Sequence, residues 1–448
     1  SQEVTTDAMI VPQRGQDWFD GGHWIRLHRH EYQPDDPIIN GAWNFLFGGV
    51  NTTNRLIFQF EELNAPGSEA FIAELRVLRA MFYMGLLDSY GNVPLVDRFD
   101  VPADFAPNNA TREEIYNFIE NELTATVDLL TEDVSGATYA RINKWTAHAI
   151  LAKLYLNAEV YTGTPQWQKA ADNAAAIVNS GNYRLESSFF TNFQTENSGS
   201  GENIFVIPYD QVFATGHNLV MRTLHYSSQN TFNLTAQPWN GYCSLQEFYN
   251  SFEENDVRRG SFIVGPQLDA AGQPLGDDGF EQADPNDPTK PFDADGVQVN
   301  FTPEINEHFP NALRQAGARI GKYEFATGAT QDLSNDVPIF RYADILLIQA
   351  EAMWRMNAGS AEALALVNEI RVRAGVDPFA DLTAETLLAE RGREMFAEAW
   401  RRQDLIRFGV YGDEWEFKPA SDETKEIFPI PRAQIDANPN LTQNPGYN

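Results

Sequence analysis

Helical periodicity is confined to the two ends of this 448-residue chain, and the middle of the chain lacks it. From residue 38 to about 184, and again after Asp336, apolar residues recur at three- and four-residue spacing, which is the pattern of amphipathic helices. Between 185 and 335, glycine, asparagine, proline and aspartate become frequent and the periodicity fades. This arrangement predicts a helical scaffold that carries a large loop-rich insertion.

Several predicted helices have recognisable ends. Thr111-Arg112-Glu113-Glu114 has the form of a capping box, in which the threonine and the glutamate each accept a backbone N–H. We expect Ser68 to cap a second helix at its start and Gly181 to end a third. The predicted helices cover 38–63, 68–90, 112–131, 141–161, 167–179, 341–357, 361–374 and 384–408.

These helices form pairs joined by short turns, which is typical of a tetratricopeptide-like scaffold, although the repeat is not strict. Short strands are expected at 203–207 and 261–264 because both runs are apolar and β-branched or aromatic. We therefore predict a mainly α fold with a few short strands in the insertion. The predicted parts of the single unit 1–448 are an N-terminal helical-pair scaffold at 38–184, a loop-rich ligand-binding insertion at 185–335, and C-terminal scaffold helices with a closing segment at 336–448.

The net charge of −31 limits the partners of the chain. A polyanion is repelled by phosphate backbones and anionic lipid headgroups, so we expect no nucleic acid ligand. No apolar run reaches the roughly 18 residues of a membrane-spanning helix. Cys243 is the only cysteine, so neither an internal disulfide nor a cysteine-based metal site is expected.

Motifs of the common enzyme classes are missing from the sequence. It contains no phosphate-binding glycine loop, no His-Glu-x-x-His and no Gly-x-Ser-x-Gly. Glycosidases use two carboxylates, but with 63 acidic residues such pairs are unavoidable and carry no information. We expect no catalysis.

Charged residues repeat at three- and four-residue spacing on the predicted helix 384–408, at Glu394, Glu398, Arg401 and Asp404. That spacing favours ion pairs along one helix face. We interpret the set as a partly buried network that fixes the scaffold, rather than as an acid site.

Metal ligands are sparse. His28 and His30 lie two residues apart without further ligands nearby, whereas a zinc site needs three or four. The acidic segment 276–296 does not match the spacing of an EF-hand, although calcium prefers oxygen ligands of this kind. We expect no resident cofactor, and calcium bound in that segment stays open as an alternative. Its candidate ligands are Asp284, Asp287, Asp293 and Asp295.

Aromatic residues divide into two sets. Trp43, Trp145, Trp354 and Trp400 lie on helix stripes and are expected in the core. In the insertion, Trp239 follows Pro238 and precedes Asn240-Gly241-Tyr242, so a rigid turn is expected to present it. The candidate ligand-binding residues are Trp239, Asn240, Tyr242, Trp24, Trp18, His23, Phe213 and Asn218.

Each candidate type offers a different contact. Indole and phenol rings stack on the apolar faces of sugars, and the Asn240 amide can both donate and accept hydrogen bonds. A loop tryptophan can instead plug its loop onto the scaffold, and this alternative stays open for Trp239 and Trp24.

Several blocks along the chain resemble the SusD/RagB family, the outer-membrane glycan-binding lipoproteins of Bacteroidetes. These blocks are Glu74-Leu75-Arg76-Val77-Leu78-Arg79-Ala80, Tyr90-Gly91-Asn92-Val93-Pro94-Leu95-Val96, Ala147 to Asn157 with the Trp167 helix, Arg341-Tyr342-Ala343-Asp344 with Ala350-Glu351-Ala352, Glu398-x-x-Arg401-x-x-Asp404-Leu405, Phe428-Pro429-Ile430-Pro431 and Asn444-Pro445-Gly446-Tyr447. The chain departs from the family pattern at Ala399, where the family tends to have glycine, and at Arg402, where it tends to have tryptophan.

The resemblance implies a helical fold with four tetratricopeptide-like pairs, held at the cell surface by a lipid on a cysteine upstream of this sequence. It also implies that the protein captures an oligosaccharide or polysaccharide and delivers it to a SusC-like TonB-dependent transporter. Because basic residues are few, we expect a neutral glucan, with a β-glucan such as laminarin as the suggested ligand. Three alternatives stay open: a scaffold that binds only protein, a peptide-binding member of the family, and a carbohydrate-active enzyme.

Overall fold

The computed structural model describes residues 2–277, 283–284, 287–291 and 298–447, with side chains over 2–277 and 298–447. The α-helices of these residues are α1 (His23–His28), α2 (Pro37–Leu63), α3 (Ser68–Tyr90), α4 (Arg112–Thr126), α5 (Lys144–Leu156), α6 (Ala158–Thr162), α7 (Trp167–Ser180), α8 (Leu219–Thr223), α9 (Gln229–Phe232), α10 (Gln246–Asn250), α11 (Tyr342–Met356), α12 (Ala361–Arg373), α13 (Ala384–Glu394), α14 (Arg401–Arg407) and α15 (Arg432–Ala437).

The strands are short, and all of them pair as antiparallel two-stranded ribbons within the described residues. They are β1 (Met9–Ile10), β2 (Val93–Pro94), β3 (Asn109–Ala110), β4 (Asn203–Ile207), β5 (Cys243–Ser244), β6 (Phe262–Ile263), β7 (Gly265–Pro266), β8 (Ala283–Asp284), β9 (Asp287–Pro291), β10 (Asn300–Phe301), β11 (Arg319–Ile320) and β12 (Val337–Arg341).

The longer helices pack as successive neighbours. Helix α2 packs on α3, α3 on α4, α5 on α7, and α7 on α11, which also contacts α12 and α13. Strand β12 leads directly into α11 and pairs with β4, which ties the insertion to the C-terminal helices. The predicted mainly α fold with a loop-rich middle is confirmed. The division at 184 and 335 stays a prediction.

Helix ends follow local chemistry in most places. The capping box of Thr111 and Glu114 is present as predicted, and Gly181 ends α7 in the left-handed conformation, with φ of +68°. The prediction for Ser68 is wrong, because Gly67 occupies the N-cap and Ser68 is the first helical residue. The hydroxyl of Ser68 makes no capping hydrogen bond.

Two predicted helices are each broken into two. The helix expected at 141–161 is interrupted at Asn157, whose side chain donates to the Lys153 carbonyl and to Gln403. The helix expected at 384–408 ends with α13 and restarts with α14. Between them, Ala397 and Ala399 have φ of +59° and +67°, which no α-helix tolerates.

The four tryptophans that the sequence assigned to the core are buried or partly buried in the structure. Trp43 and Trp145 are buried as predicted, with 4% and 8% of their surface exposed. Trp354, on α11, and Trp400, just before α14, are partly buried and pack against a core cluster that includes residues of α11 and α12. Trp400 stacks on Phe340, with ring centroids 5.6 Å apart. All four tryptophans therefore serve packing.

A buried ion network surrounds the break between α13 and α14. The Arg341 guanidinium lies 2.7 Å from both Glu398 and Glu394, and 3.2 Å from Glu202. Glu394 also contacts Arg258 at 3.1 Å. The interpretation of these charges as a scaffold network is confirmed. Glu394 and Glu398 pair with Arg341 of another element, whereas Asp404 pairs with Arg407 on its own helix at 2.7 Å.

Ala399 is the residue at which the chain departs from the glycine of the resembled family. Its side chain is exposed, so replacing it with glycine loses little packing. A left-handed conformation costs an L-residue about 1–2 kcal/mol, and the added freedom of glycine in the unfolded chain offsets about 0.4–1 kcal/mol of that gain. We expect Ala399→Gly to raise the free energy of unfolding by about 0.5–1 kcal/mol, as measured by chemical denaturation.

The matched control is Ala389→Gly inside α13, where glycine is expected to lower the free energy of unfolding by about 1 kcal/mol. A decrease for Ala399→Gly as large as that of the control would contradict the strain argument.

Buried histidines make stability depend on pH. Burial lowers the pKa of His28 to about 4 and, together with the nearby His28, lowers that of His308 to about 2. Below their ordinary pKa of 6.5 the unfolded chain therefore binds more protons than the native chain. The free energy of unfolding consequently decreases as the pH is lowered below about 6.5. Glu3 acts in the opposite direction between pH 7 and 4.5, because burial raises its pKa to about 7.

We expect His308→Phe, which keeps an aromatic ring in this site, to remove part of the loss of stability between pH 6.5 and 4. The measurement is the thermal midpoint of both proteins at several pH values in that window. Parallel curves for the variant and the original chain would show that His308 does not titrate on unfolding.

Candidate functional site

The N-terminal loop turns back on itself just before α1. Trp18 and Asp20 adopt left-handed backbone angles with φ of +61° and +42°, and Gly21 and Gly22 follow in the same region. Such angles cost non-glycine residues about 1–3 kcal/mol and persist only where the surroundings impose them. The turn brings the indole of Trp18 to 5.8 Å from that of Trp24, measured between ring centroids.

The loop 239–242 is fixed on the short helix α8 by its backbone. Trp239 N donates to the Met221 carbonyl at 2.6 Å, and the N–H groups of Gly241 and Tyr242 both donate to the Arg222 carbonyl. The Thr223 hydroxyl donates to the Tyr242 carbonyl at 2.9 Å. The loop therefore presents its side chains from a backbone held at several points.

These two loops together form an aromatic cluster of Trp18, Trp24, Tyr242 and Trp239, in which the first three rings contact one another and Trp239 joins through its backbone carbonyl. The ring of Tyr242 lies 5.7 Å from that of Trp18 and 5.5 Å from that of Trp24. The indole N–H of Trp18 donates to the carbonyl of Trp239 at 2.6 Å, across 221 residues of chain. The structure thus brings together four candidates that the sequence singled out separately.

The four rings differ in exposure. Trp239 is 36% exposed and offers a ring surface to solvent, whereas Trp18 and Tyr242 are half-buried. Trp24 is only 7% exposed, and its indole N–H donates to Asp20 at 2.8 Å. Trp24 therefore fits the alternative in which a loop tryptophan anchors its loop to the scaffold, because its ring is buried against Trp18 and Tyr242 and does not face solvent.

Two further candidates lie at this cluster. The ring of His23 is 5.0 Å from that of Trp24. Asn218 accepts a hydrogen bond from Arg222 Nε at 2.7 Å, and Arg222 Nη1 donates to the Tyr242 hydroxyl at 3.1 Å. Sequence reasoning missed Arg222. Its spacing of four residues from Asn218 was the available signal, since such residues are neighbours on a helical turn.

The structure corrects the role expected for Asn240. Its side chain is fully buried, its amide N–H donates to the Arg314 carbonyl, and its oxygen accepts from Arg319, both at 2.9 Å. An amide used in this way holds the loop to the segment 314–319. It has no surface to offer a ligand.

Phe213 lies apart from the other candidates. It is 92% exposed at the tip of a turn that the Asp210 carboxylate closes by accepting the N–H groups of Val212 and Phe213. In the described part of the chain, its ring makes no contact with the aromatic cluster. The position of Phe213 therefore gives no support to a binding site that it shares with Trp239.

Burial keeps the polar groups of the cluster neutral. It raises the pKa of the Tyr242 phenol, an effect that Arg222 partly opposes, and it lowers the pKa of His23. At neutral pH both groups are therefore uncharged hydrogen-bonding partners. Aromatic rings bordered by such groups can hold a ligand with apolar faces and hydroxyl edges.

The calcium candidates fall largely outside the described residues. Asp284 and Asp287 lie in β8 and β9 without described side chains, and Asp293 and Asp295 lie outside altogether. Over 2–277 and 298–447, no group of three or more histidine, cysteine, aspartate or glutamate side chains is placed to hold a metal ion. Calcium in the acidic segment stays an open alternative to the expected absence of a cofactor.

Two family models match the chain. The model described as the SusD family matches residues 308–447, and the model described as starch-binding associating with outer membrane matches residues 6–156. The chain belongs to the SusD family. The matched ranges contain the N-terminal loop of the aromatic cluster and the broken helix pair α13 and α14. None of the described helices of this SusD-family chain is long and apolar enough to cross a membrane.

Relatives cover most of the chain. The starch-binding protein SusD of Bacteroides thetaiotaomicron is 26% identical over an alignment of 462 residues that covers 90% of this chain and 78% of that protein. A laminarin-binding SusD-like protein superposes with a TM-score of 0.77 at 21% identity, covering 100% of this chain and 93% of the other. Surface glycan-binding protein A from Bacteroides thetaiotaomicron, in complex with laminarihexaose, gives a TM-score of 0.74 at 22% identity over 99% and 92%.

Gly241 is the position at which a side chain would disrupt the cluster most directly. A Cβ atom there would lie 2.3 Å from Cε2 of Trp18, so the indole would have to move. We expect Gly241→Ala to change the near-ultraviolet circular dichroism of the tryptophans and to lower the thermal midpoint. The control is Gly48→Ala on α2, where a Cβ meets nothing within 4 Å and should slightly stabilise the helix. An unchanged spectrum for Gly241→Ala would show that the contact between Trp18 and this loop is loose.

Proposed function

We propose that this protein captures a neutral glucan at the aromatic cluster, a β-glucan such as laminarin, and delivers it unchanged to a SusC-like TonB-dependent transporter. The observation that carries the proposal is the cluster itself, in which Trp239 faces solvent, its backbone carbonyl accepts from the Trp18 indole, and its ring lies beside the Arg222 guanidinium. Membership of the SusD family supports the binding of a glycan. The laminarin-binding structures with the same fold support the choice of a β-glucan.

The proposed affinity is modest. A ring that stacks on an exposed aromatic side chain contributes on the order of 1–3 kcal/mol, by analogy with nucleic-acid bases. Two or three such contacts with a few hydrogen bonds give millimolar to micromolar dissociation constants. Binding of that strength suits a protein that must also release its ligand.

The net charge of −31 favours a neutral ligand over a sulfated or uronic glycan, because long-range repulsion opposes anions. Within the cluster, the neutral state of His23 and Tyr242 agrees with this choice. Binding of a neutral glucan is expected to be insensitive to salt.

The cell surface and the transporter belong to the same proposal. A lipid anchor on an upstream cysteine would hold the protein at the outer membrane, as the match to the outer-membrane family model supports. Helix α2 carries no charged residue from Pro37 to Asn54, and Phe45 on this stretch is 69% exposed. An uncharged helix face with an exposed aromatic ring, on so acidic a protein, supports contact with a partner protein.

The binding site is tested by affinity electrophoresis in gels that contain laminarin, starch, mannan or pectin. We expect laminarin to retard the protein and Trp239→Ala to abolish most of the retardation, with affinity falling at least tenfold because the stacking surface is lost. Phe45→Ala is the control, since it removes a more exposed aromatic ring from α2, outside the aromatic cluster. Phe213→Ala tests the remaining aromatic candidate separately.

Retardation by starch and not by laminarin would support glycan binding but would contradict the choice of a β-glucan as the ligand. Retardation that survives Trp239→Ala would move the site away from the aromatic cluster. If no neutral polysaccharide retards the protein, the proposal fails and a peptide or protein ligand is favoured. Turnover of a bound glycan that disappears on replacing one carboxylate would identify an enzyme.

A further inference from the structure

Arg222 occupies a position inside the aromatic cluster that no sequence motif marks. Its guanidinium carbon lies 5.7 Å from the ring centroid of Trp239 and 5.4 Å from that of Tyr242. The Asn218 oxygen accepts from its Nε, and the Tyr242 hydroxyl accepts from its Nη1. The guanidinium is therefore oriented by one hydrogen bond on each side and by two rings.

This arginine differs from those of the scaffold. Buried arginines such as Arg258 and Arg341 lie within 2.6–3.2 Å of carboxylates. Among the described residues, no carboxylate forms a salt bridge with Arg222, and its hydrogen bonds use two of the five N–H groups of a guanidinium. A half-buried guanidinium held in place with unused donors, beside an exposed ring, is arranged to donate to something outside the protein.

We infer that Arg222 is a specificity-determining residue that donates hydrogen bonds to neighbouring hydroxyl groups of the sugar ring stacked on Trp239. This inference rests on the proposed function and adds hydrogen bonds to the stacking of the sugar on Trp239. A planar guanidinium can place two parallel N–H groups on two adjacent oxygens, which a point-like ammonium group cannot do. The ligand class that fits is a neutral hexopyranose with adjacent free hydroxyls, which in β-1,3-linked laminarihexaose is the residue at the non-reducing end.

The surroundings favour hydroxyls over an anionic group as the acceptor. The Asp20 carboxylate accepts from the indole of Trp24, whose ring lies 5.5 Å from that of Tyr242, so the cluster already holds one negative charge. The chain as a whole carries a charge of −31. A second carboxylate or sulfate arriving with the ligand would meet both.

The test is isothermal titration of the intact chain with laminarihexaose. We expect Arg222→Lys, which keeps the charge but not the fork, to weaken binding about tenfold, because hydrogen bonds from a charged donor are lost. Asn218→Ala, which removes only the orienting hydrogen bond, is expected to weaken it about threefold. The matched control is Arg259→Lys, an arginine that lies 4.6 Å over the ring of Tyr249 elsewhere in the insertion.

The outcomes separate the inference from the proposed function. If Trp239→Ala abolishes binding while Arg222→Lys and Asn218→Ala bind as the original chain does, the glycan site stands and the role of Arg222 is overturned. If the original chain binds no neutral oligosaccharide, both fail together. Tighter, salt-dependent binding of carboxymethylated laminarin would overturn the assignment of hydroxyls. If Arg222→Lys does not fold, judged by its thermal midpoint, Asn218→Ala decides, and full affinity in that variant overturns the inference.

Discussion

The buried pairing of Arg341 with Glu394 and Glu398 is the interaction on which the rest of the fold depends. Arg341 ends β12, Glu394 ends α13, and Glu398 lies in the break before α14, so one guanidinium fixes three separate pieces of backbone. Burial alone would raise the pKa of Glu394, but Arg373, Arg341 and Arg258 hold it well below its ordinary value. Taking such charges out of water costs several kcal/mol per ion, and only complete pairing offsets that cost.

From this network a chain of contacts leads to the site. Lys322 lies 2.5 Å from Glu398, and although burial lowers its pKa to about 8, it is a charged partner at neutral pH. Two residues earlier, Ile320 N donates to the hydroxyl of Thr223, and that hydroxyl donates to the Tyr242 carbonyl. The scaffold therefore reaches the aromatic loop through backbone and short side chains, which permit little movement. Loops that carry binding residues are held in position by scaffolds of this kind.

The sequence predicted well what depends on neighbouring residues and poorly what depends on distant ones. The capping box at Thr111 needs only four adjacent residues, and it was found. The break at Ala397 and Ala399 is imposed by ion pairs from β12 and the insertion, so an uninterrupted helix was the natural expectation. Asn240 looked like a surface amide because its partners, Arg314 and Arg319, lie more than 70 residues away along the chain. The loop tryptophans could be recognised as candidate ligand-binding residues from their type, but the sequence did not show that they lie close together.

Gly241 makes the two loops of the site dependent on each other. The indole of Trp18 fills the space that a side chain at 241 would need, so neither position can change its size without the other. Effects of substitutions at touching positions do not add, and a larger residue at 241 becomes acceptable only after the residue at 18 becomes smaller. A lineage that exchanges this ligand for another is therefore expected to alter both loops in concert, and the paired positions 18 and 241 should covary across relatives as a record of such exchanges.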